Sequence, residues 1–355
     1  MWDCGTVDAV QIISMIGGSG EDGDDAAGKS ARRAAPSPPV PERAADSSLK
    51  RSELHQIPLS PHSLTWRYMG DFRHFGIALR SAVTQAVHPQ FAQSGMQHSR
   101  AHGPLERLRV AFVPIFETVY APPEEARKRG LQIRNYHKPL SGTMPGGGRY
   151  HSLDANTFFF AHATFLDHVV TGIDRFVRRL SRAEKEQLFR ESLDLYSMWG
   201  VALPADAPGS WAEFEAYFER ALREESRGNI GARHVARRLN SRTLPRPPGG
   251  KIPPRAWNAL VAVLMFLTIG GTPAAVREQL EISWSAREER LYVAVCAVSR
   301  ALSPLWERLA PLSWRYPRVA VAAFRRERIN PRRITMRRAD DADPRPAVVE
   351  RKWNR

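Results

Sequence analysis

Apolar residues along this chain recur at intervals of three and four positions, which is the spacing of one face of an α-helix. The clearest stripe consists of Phe158, Phe165, Val169, Ile173, Phe176 and Leu180. His162 lies in the middle of that stripe, so its imidazole is predicted to face the core. No run of alternating apolar and polar residues indicates strands. The pattern therefore predicts an all-α protein, built as a single large helical-bundle domain.

Capping signals define where several of these helices begin and end. Asp154 is a predicted N-cap for the striped helix, and Ser181 with Glu184 has the spacing of a capping box. An earlier helix is predicted to run to His137, because Pro139 stops it. The segment between these helices, residues 142–148, contains three consecutive glycines and is predicted to be a flexible loop, with a phosphate cradle as the weaker alternative.

Composition divides the 355 residues into three predicted regions. Residues 1–62 are rich in small, proline and acidic residues without a sustained period, which predicts a disordered N-terminal region. Residues 63–330 carry the helical patterns and form the predicted domain, and residues 331–355 form a basic C-terminal tail. Within the domain, the apolar run Ala256–Gly271 is shorter than the ~20 residues of a membrane span. It is predicted to be a buried core helix, with an interfacial helix as the alternative.

The formal net charge of +15 raises nucleic acid and anionic membranes as partners. Much of the excess lies near the C-terminus, at Arg325, Arg326, Arg328, Arg332, Arg333, Arg337 and Arg338. A solvated basic tail explains this run, and peripheral contact with an anionic membrane through the same arginines is the alternative. Nucleic acid is not expected as a partner, because no aromatic residues are interleaved with the arginines.

The cysteines and the N-terminal residues predict the cellular compartment of the protein. Cys4 and Cys296 cannot build a disulfide framework or a cysteine-based zinc site. Asp3 and Asp8 stand where a secretory signal would carry basic residues. These features predict a cytoplasmic protein, either free or peripheral to a membrane.

The candidate chemistry is concentrated in one stretch of histidines. Arg134 and His137 are three residues apart and point to the same side of a helix, which suits an axial iron ligand with a cationic neighbour. His137 can equally serve as a favourable charge at the helix C-terminus. His162 is either a ligand or a core histidine bonded to a carbonyl or to Asp167. The chain has no nucleophile elbow, phosphate-binding loop, His-Glu-x-x-His zinc motif or dinucleotide-binding unit.

Several motifs, in order, resemble one known family. They are Gly70-Asp-Phe-Arg73, His88-Pro89, Arg134-x-x-His137, Gly148-x-Tyr150-x-x-x-Asp154, Phe160-Ala-His162-Ala-Thr164 and Pro273-x-x-x-Arg277. From about Trp66 to Arg326 the chain is similar to the MpaB-type oxygenases of the mycophenolic-acid pathway and the bacterial latex-clearing rubber oxygenases. That resemblance implies a largely helical catalytic domain that binds haem b.

The resemblance also implies roles for individual residues. His137 would be the proximal iron ligand with Arg134 close to the haem edge, and His162 would line the pocket. Tyr150 and Thr164 lie in matching motifs and would contact the cofactor. On the distal side, the candidates for acid, base or orienting roles are Glu106, Arg107 and Glu117. Dioxygen and a small apolar substrate, isoprenoid or lipid-like, would be the partners.

The chain also departs from the family pattern. Ala111 stands where a threonine is expected four residues after Arg107, and Val110 stands where latex-clearing enzymes have a lysine. We therefore do not expect rubber cleavage. The function predicted is a haem-dependent oxygenase, and the alternative is a non-enzymatic helical protein that binds a lipid or a membrane surface.

Overall fold

The computed structural model describes residues 56–98, 104–224, 230–244, 246 and 252–336. Its helices are α1 (Leu64–Tyr68), α2 (Leu79–Gln85), α3 (Pro89–His98), α4 (Pro104–Tyr120), α5 (Pro123–His137), α6 (Ala155–Gly172), α7 (Arg182–Ser197), α8 (Trp211–Glu224), α9 (Ile230–Ser241), α10 (Pro254–Gly271), α11 (Ala274–Gln279), α12 (Ala286–Leu309), α13 (Leu312–Arg315) and α14 (Arg318–Arg326). Short 3₁₀ helices span Phe72–Ile77 and Pro331–Arg333, and a π-helical turn, Ile173–Val177, extends α6. The predicted all-α class is confirmed.

Helix α6 is the centre of the fold. Its N-cap is Asp154, whose carboxylate accepts a hydrogen bond from the Thr157 amide at 3.0 Å, as the sequence predicted. Helices α2, α3, α7 and α8 pack around it, and α4 and α5 pack against each other on one side. Because neighbours surround α6, most of its side chains are buried, including Phe159 and Phe160. The capping box of Ser181 and Glu184 at the start of α7 is also confirmed.

The segment after α5 differs from the prediction of a plain loop. Strands β1 (Ser141–Thr143) and β2 (Arg149–His151) pair in antiparallel register, with Ser141 opposite His151. Gly147 in the turn has a φ of 90°, a conformation that glycine adopts without strain. Each strand has three residues, which is too short to produce a recognisable alternating pattern.

The apolar run at Ala256–Gly271 forms α10, but only half of it fits the predicted buried core helix. Its C-terminal turns are buried, whereas Leu260 and Val263 in the middle of the helix are exposed. Within the described residues, this 18-residue helix is long and apolar enough to cross a membrane by length and composition alone, with a mean hydropathy of 1.2 and 39% of it buried. Periodicity could not reveal the exposure, because the run is apolar on all sides.

Tertiary contacts extend beyond residues 63–330 at both ends. The side-chain amide of Gln56 donates to the Met198 carbonyl at 2.6 Å. At the other end Ile334 is buried, and its carbonyl accepts from the Arg67 guanidinium at 2.7 Å. The rest of the predicted N-terminal and C-terminal regions, residues 1–55 and 337–355, lies outside the described residues.

Candidate functional site: an apolar cavity with two imidazoles

A cavity of about 500 Å³ lies between α3, α4, α5, the β-hairpin, α6 and α7. Its wall is mainly apolar and includes Phe91, Ile115, Phe158, Phe165, Leu188 and Leu195. The structure brings most of the predicted site residues to this wall, namely Glu106, Arg107, Glu117, His137, Tyr150 and His162. Residues from separate helices and from the hairpin therefore meet at one site.

His137 is held in a defined orientation at the end of α5. Its Nδ1 lies 2.8 Å from the Ile133 carbonyl one turn earlier, so Nδ1 carries the proton and donates it. The other nitrogen, Nε2, is then an acceptor on a side chain that borders the cavity. Burial lowers the pKa of His137, against a smaller opposing effect of the bond to Ile133, so the ring is neutral. A backbone carbonyl that fixes the tautomer in this way is the usual support for a metal-binding histidine.

His162 is the second imidazole of the cavity and lies deeper. It is buried on α6, and among the described residues its Nε2 has no hydrogen-bond partner. Burial lowers the pKa of His162 to about 4, with a smaller opposing effect of a hydrogen bond with the Ser192 backbone. A buried nitrogen without a partner is costly, by about 1–3 kcal/mol, unless a ligand or water engages it.

Aromatic rings connect the two histidines. The His137 ring meets Phe158 edge to face at 5.5 Å between centroids, and His162 meets Tyr196 at 5.1 Å. Phe158 and Tyr196 contact each other at 6.0 Å. This packing restricts the orientation of both imidazoles at the cavity wall.

The acidic and arginine side chains of the wall come from α4 and α5. Glu117 forms an ion pair with Arg129 at 3.2 Å, and Arg129 also pairs with Glu125 at 2.8 Å. Burial lowers the pKa of Arg107, whose guanidinium lies against Gly95 on α3. A Cβ at position 95 would lie 2.5 Å from an Arg107 guanidinium nitrogen, so the end of that flexible side chain would have to shift.

Tyr150 reaches the cavity from the hairpin. Its hydroxyl donates to the Gln97 side-chain carbonyl at 2.6 Å, and Gly142 in the opposite strand lies directly beside both groups. Burial raises the pKa of Tyr150, so the hydroxyl keeps its proton. The hairpin therefore positions one phenol against α3 at the edge of the site.

Two predicted site residues are not in the cavity wall. Arg134 is buried, with Nη2 3.5 Å from the Asn135 side-chain oxygen, and it does not line the cavity. Thr164 is also buried; it donates to the Ala161 carbonyl at 2.7 Å and accepts from Gln85 at 2.8 Å. Gln85 does line the cavity, so Thr164 stands one hydrogen bond away from it.

Sequence reasoning missed a second pair of histidines. His74 and His168 are fully buried, with 3.2 Å between His74 Nδ1 and His168 Nε2. His74 Nε2 lies 2.8 Å from the Tyr68 carbonyl and donates to it, so His168 donates to His74. His74 follows the Gly70-Asp-Phe-Arg73 motif directly, but the contact with α6 depends on tertiary structure. His88 is also buried, with 4.9 Å between its ring centroid and that of Phe160.

The described residues contain no group of three or more His, Cys, Asp or Glu side chains placed to hold a metal ion. A haem iron does not need such a group, because the porphyrin supplies four nitrogens and the protein supplies an axial ligand. A neutral imidazole at the wall of an apolar cavity fits that requirement. The donor set and the cavity therefore suit a haem better than a free metal ion.

Together these features define an all-α protein with a deep, mainly apolar binding site that carries two neutral imidazoles. Residues 66–301 match the family described as ER-bound oxygenase mpaB/B'/Rubber oxygenase, catalytic domain, and the chain belongs to this family. The resemblance inferred from the ordered motifs is thus confirmed. Comparison with curated proteins and with solved structures gives no match. The family is one of oxygenase catalytic domains, which gives no support to the non-enzymatic alternative.

Proposed function

We propose that this protein is a haem b-dependent oxygenase in which His137 would bind the iron. The observation that carries the proposal is the hydrogen bond from His137 Nδ1 to the Ile133 carbonyl, which leaves Nε2 as a lone-pair donor on a cavity-lining residue. The cavity volume of about 500 Å³ falls within the range of cofactor sites. When bound, haem iron with one protein ligand supplies an open position for dioxygen chemistry.

His162 is proposed to line the pocket as a second, neutral imidazole. Its depressed pKa of about 4 keeps the ring unprotonated at neutral pH, so it brings no charge into the apolar site. The unpartnered Nε2 can accept a hydrogen bond from a ligand or an ordered water. His162 is the alternative ligand of the iron, and the experiment below distinguishes it from His137.

The residues of α4 are proposed to act on the distal side. Glu117 forms an ion pair with Arg129, so it suits an orienting role. Arg107 brings a guanidinium to the cavity wall, where it can orient a carboxylate or an oxygen atom. Glu106 is the remaining carboxylate of the wall and is the candidate for moving a proton.

The substrate is proposed to be small and apolar, isoprenoid or lipid-like. The wall residues Phe91, Phe165, Leu188 and Leu195 offer only apolar contacts, and burial of such a substrate is driven by the hydrophobic effect. We propose a cytoplasmic location for the chain. The family description includes ER-bound oxygenases, which supports membrane association alongside that location.

The test is haem stoichiometry, measured by pyridine haemochrome on protein expressed with a haem precursor. We expect the wild type to bind about one haem per chain, His137→Ala to lose it, and His162→Ala to retain it. His62→Ala, an exposed histidine, is the matched control and should behave like the wild type. Loss in His162→Ala alone would transfer the ligand role, and a folded wild type without haem would contradict the proposal.

A further inference from the structure

One side of α12 presents apolar side chains to the outside of the protein. Every exposed side chain between Leu291 and Trp306 is apolar. The outward positions recur every three or four residues and form what we call the apolar face: Leu291, Val295, Val298, Leu302, Leu305 and Leu309. Val298 is 58% exposed and Leu309 72% exposed. A surface helix normally has the opposite arrangement, with charged residues outside.

Neighbouring elements add to this apolar surface. Helix α10 packs against α12 and exposes Leu260 and Val263. Two exposed tryptophans lie nearby in the chain, Trp306 on α12 and Trp314 on α13. Exposed apolar residues that recur along one face of a helix, unlike single exposed ones, indicate an interaction site.

Positive charge flanks the apolar face at both ends. Arg287 and Arg290 precede it and Arg308 lies near its end, and all three are exposed. The carboxylates of α12 are engaged within the protein, Glu288 with Arg242, Glu289 with Arg277 and Glu307 with Arg73. The exposed charge beside the apolar face is therefore positive.

We propose that the apolar face of α12 docks on an anionic phospholipid membrane. At about 1.5 Å per residue the face is about 27 Å long, and it would lie in the plane of the interface as amphipathic surface helices do. Arginine side chains would reach the lipid phosphates from both ends, and the tryptophans suit the headgroup level.

The flanking charges favour a membrane over a second copy of the chain. Two copies joined face to face would bring the arginines of both molecules together without added negative charge, because Glu288, Glu289 and Glu307 are already paired. Anionic headgroups supply the missing charge. The contact then uses α12, whereas the sequence had suggested the C-terminal arginines and, as an alternative, an interfacial helix at Ala256–Gly271.

The experiment is flotation of the full-length protein with vesicles of phosphatidylcholine, alone or with phosphatidylserine. We expect binding to the mixed vesicles, weaker binding to pure phosphatidylcholine, and weakening with salt. Val298→Glu/Leu302→Glu should weaken binding to mixed vesicles by at least about tenfold, because it removes two apolar contacts and adds negative charge. Ala212→Glu/Ala216→Glu on α8, which adds the same charge at exposed helical positions, is the matched control and should bind like the wild type.

Each outcome bears on the proposal. Absence of vesicle binding by the wild type overturns it, as does full binding by Val298→Glu/Leu302→Glu. Light scattering that shows a dimer in the wild type and a monomer in this variant would make a second copy the occupant. Thermal unfolding of both double variants is the control that checks whether each variant is folded. None of these results changes the expected haem stoichiometry, so the membrane proposal and the haem proposal are tested independently.

Discussion

Helix α6 carries two buried histidines, six residues apart, and each has one ring nitrogen without a hydrogen-bond partner among the described residues, but of the two only His162 lines the cavity. His162 borders the cavity, and its Nε2 has no partner among the described residues. His168 is enclosed by the core and donates to His74, which in turn donates to the Tyr68 carbonyl. Burial lowers the pKa of both. Burial and a neutral ring therefore do not distinguish a binding histidine from a structural one, whereas an adjoining cavity does.

Two ion pairs, one near His168 and one at the cavity, also differ in burial. Near His168, Arg80 forms a two-point ion pair with Asp167 at 2.7 and 2.9 Å, with both side chains largely buried. At the cavity, Glu117 and Arg129 are each 40% exposed in their side chains. The first arrangement stabilises the fold, and the second leaves polar groups accessible to a ligand.

The largest effect is expected from Arg80→Ala. It leaves Asp167 buried without its partner, which should lower the free energy of unfolding by about 3–5 kcal/mol in urea denaturation. Arg127→Ala, which removes an exposed ion pair with Glu124 at 2.9 Å, is the control and should cost below about 1 kcal/mol. Equal losses for the two variants would remove the distinction between the two regions.

His168→Ala should come next, at about 2–4 kcal/mol in the same measurement, since it removes packed atoms and leaves His74 Nδ1 without its partner. His162→Ala should cost less, because its Nε2 makes no hydrogen bond within the described residues and its side chain already borders a cavity. A larger loss for His162→Ala would show that the cavity histidine is the structural one.

These contrasts mark where sequence reasoning succeeded and where it failed. Local signals were sufficient for Asp154 as a helix cap and for His162 on the inner face of α6, because both depend on neighbours in the chain. His74 and His168 are 94 positions apart, so no spacing could pair them. Arg134 shares a helix face with His137 and lies about 60° from it around the helix axis, yet only His137 lines the cavity, a difference that depends on tertiary packing.

A smaller effect is expected from pH. The pKa of His162 is about 4 in the folded protein and about 6.5 when exposed, so the unfolded chain binds the proton first as pH falls. The contribution of His162 to the free energy of unfolding is fully present above about pH 6.5 and is lost as the pH falls toward 4. The loss amounts to roughly 1–2 kcal/mol by about pH 5. The slope of unfolding free energy against pH should be shallower in His162→Gln. An unchanged slope would mean that His162 is already protonated or solvated in the folded protein.

The smallest change in stability is expected from Glu117→Gln. The ion pair with Arg129 is partly exposed, so its loss should change the free energy of unfolding by less than about 1 kcal/mol. Haem stoichiometry should stay at the wild-type value, because Glu117 is proposed to act on the distal side. Loss of haem in this variant would assign Glu117 to cofactor binding.

The central claim is that His137 Nε2 binds the iron, and His137→Gly tests it most directly. Glycine leaves a space in which free imidazole can replace the missing side chain. We expect the variant to lose the Soret band of the wild type and to recover it when imidazole is added, whereas His162→Gly should keep the band without added imidazole. Retention of the wild-type spectrum by His137→Gly without imidazole would contradict the assignment.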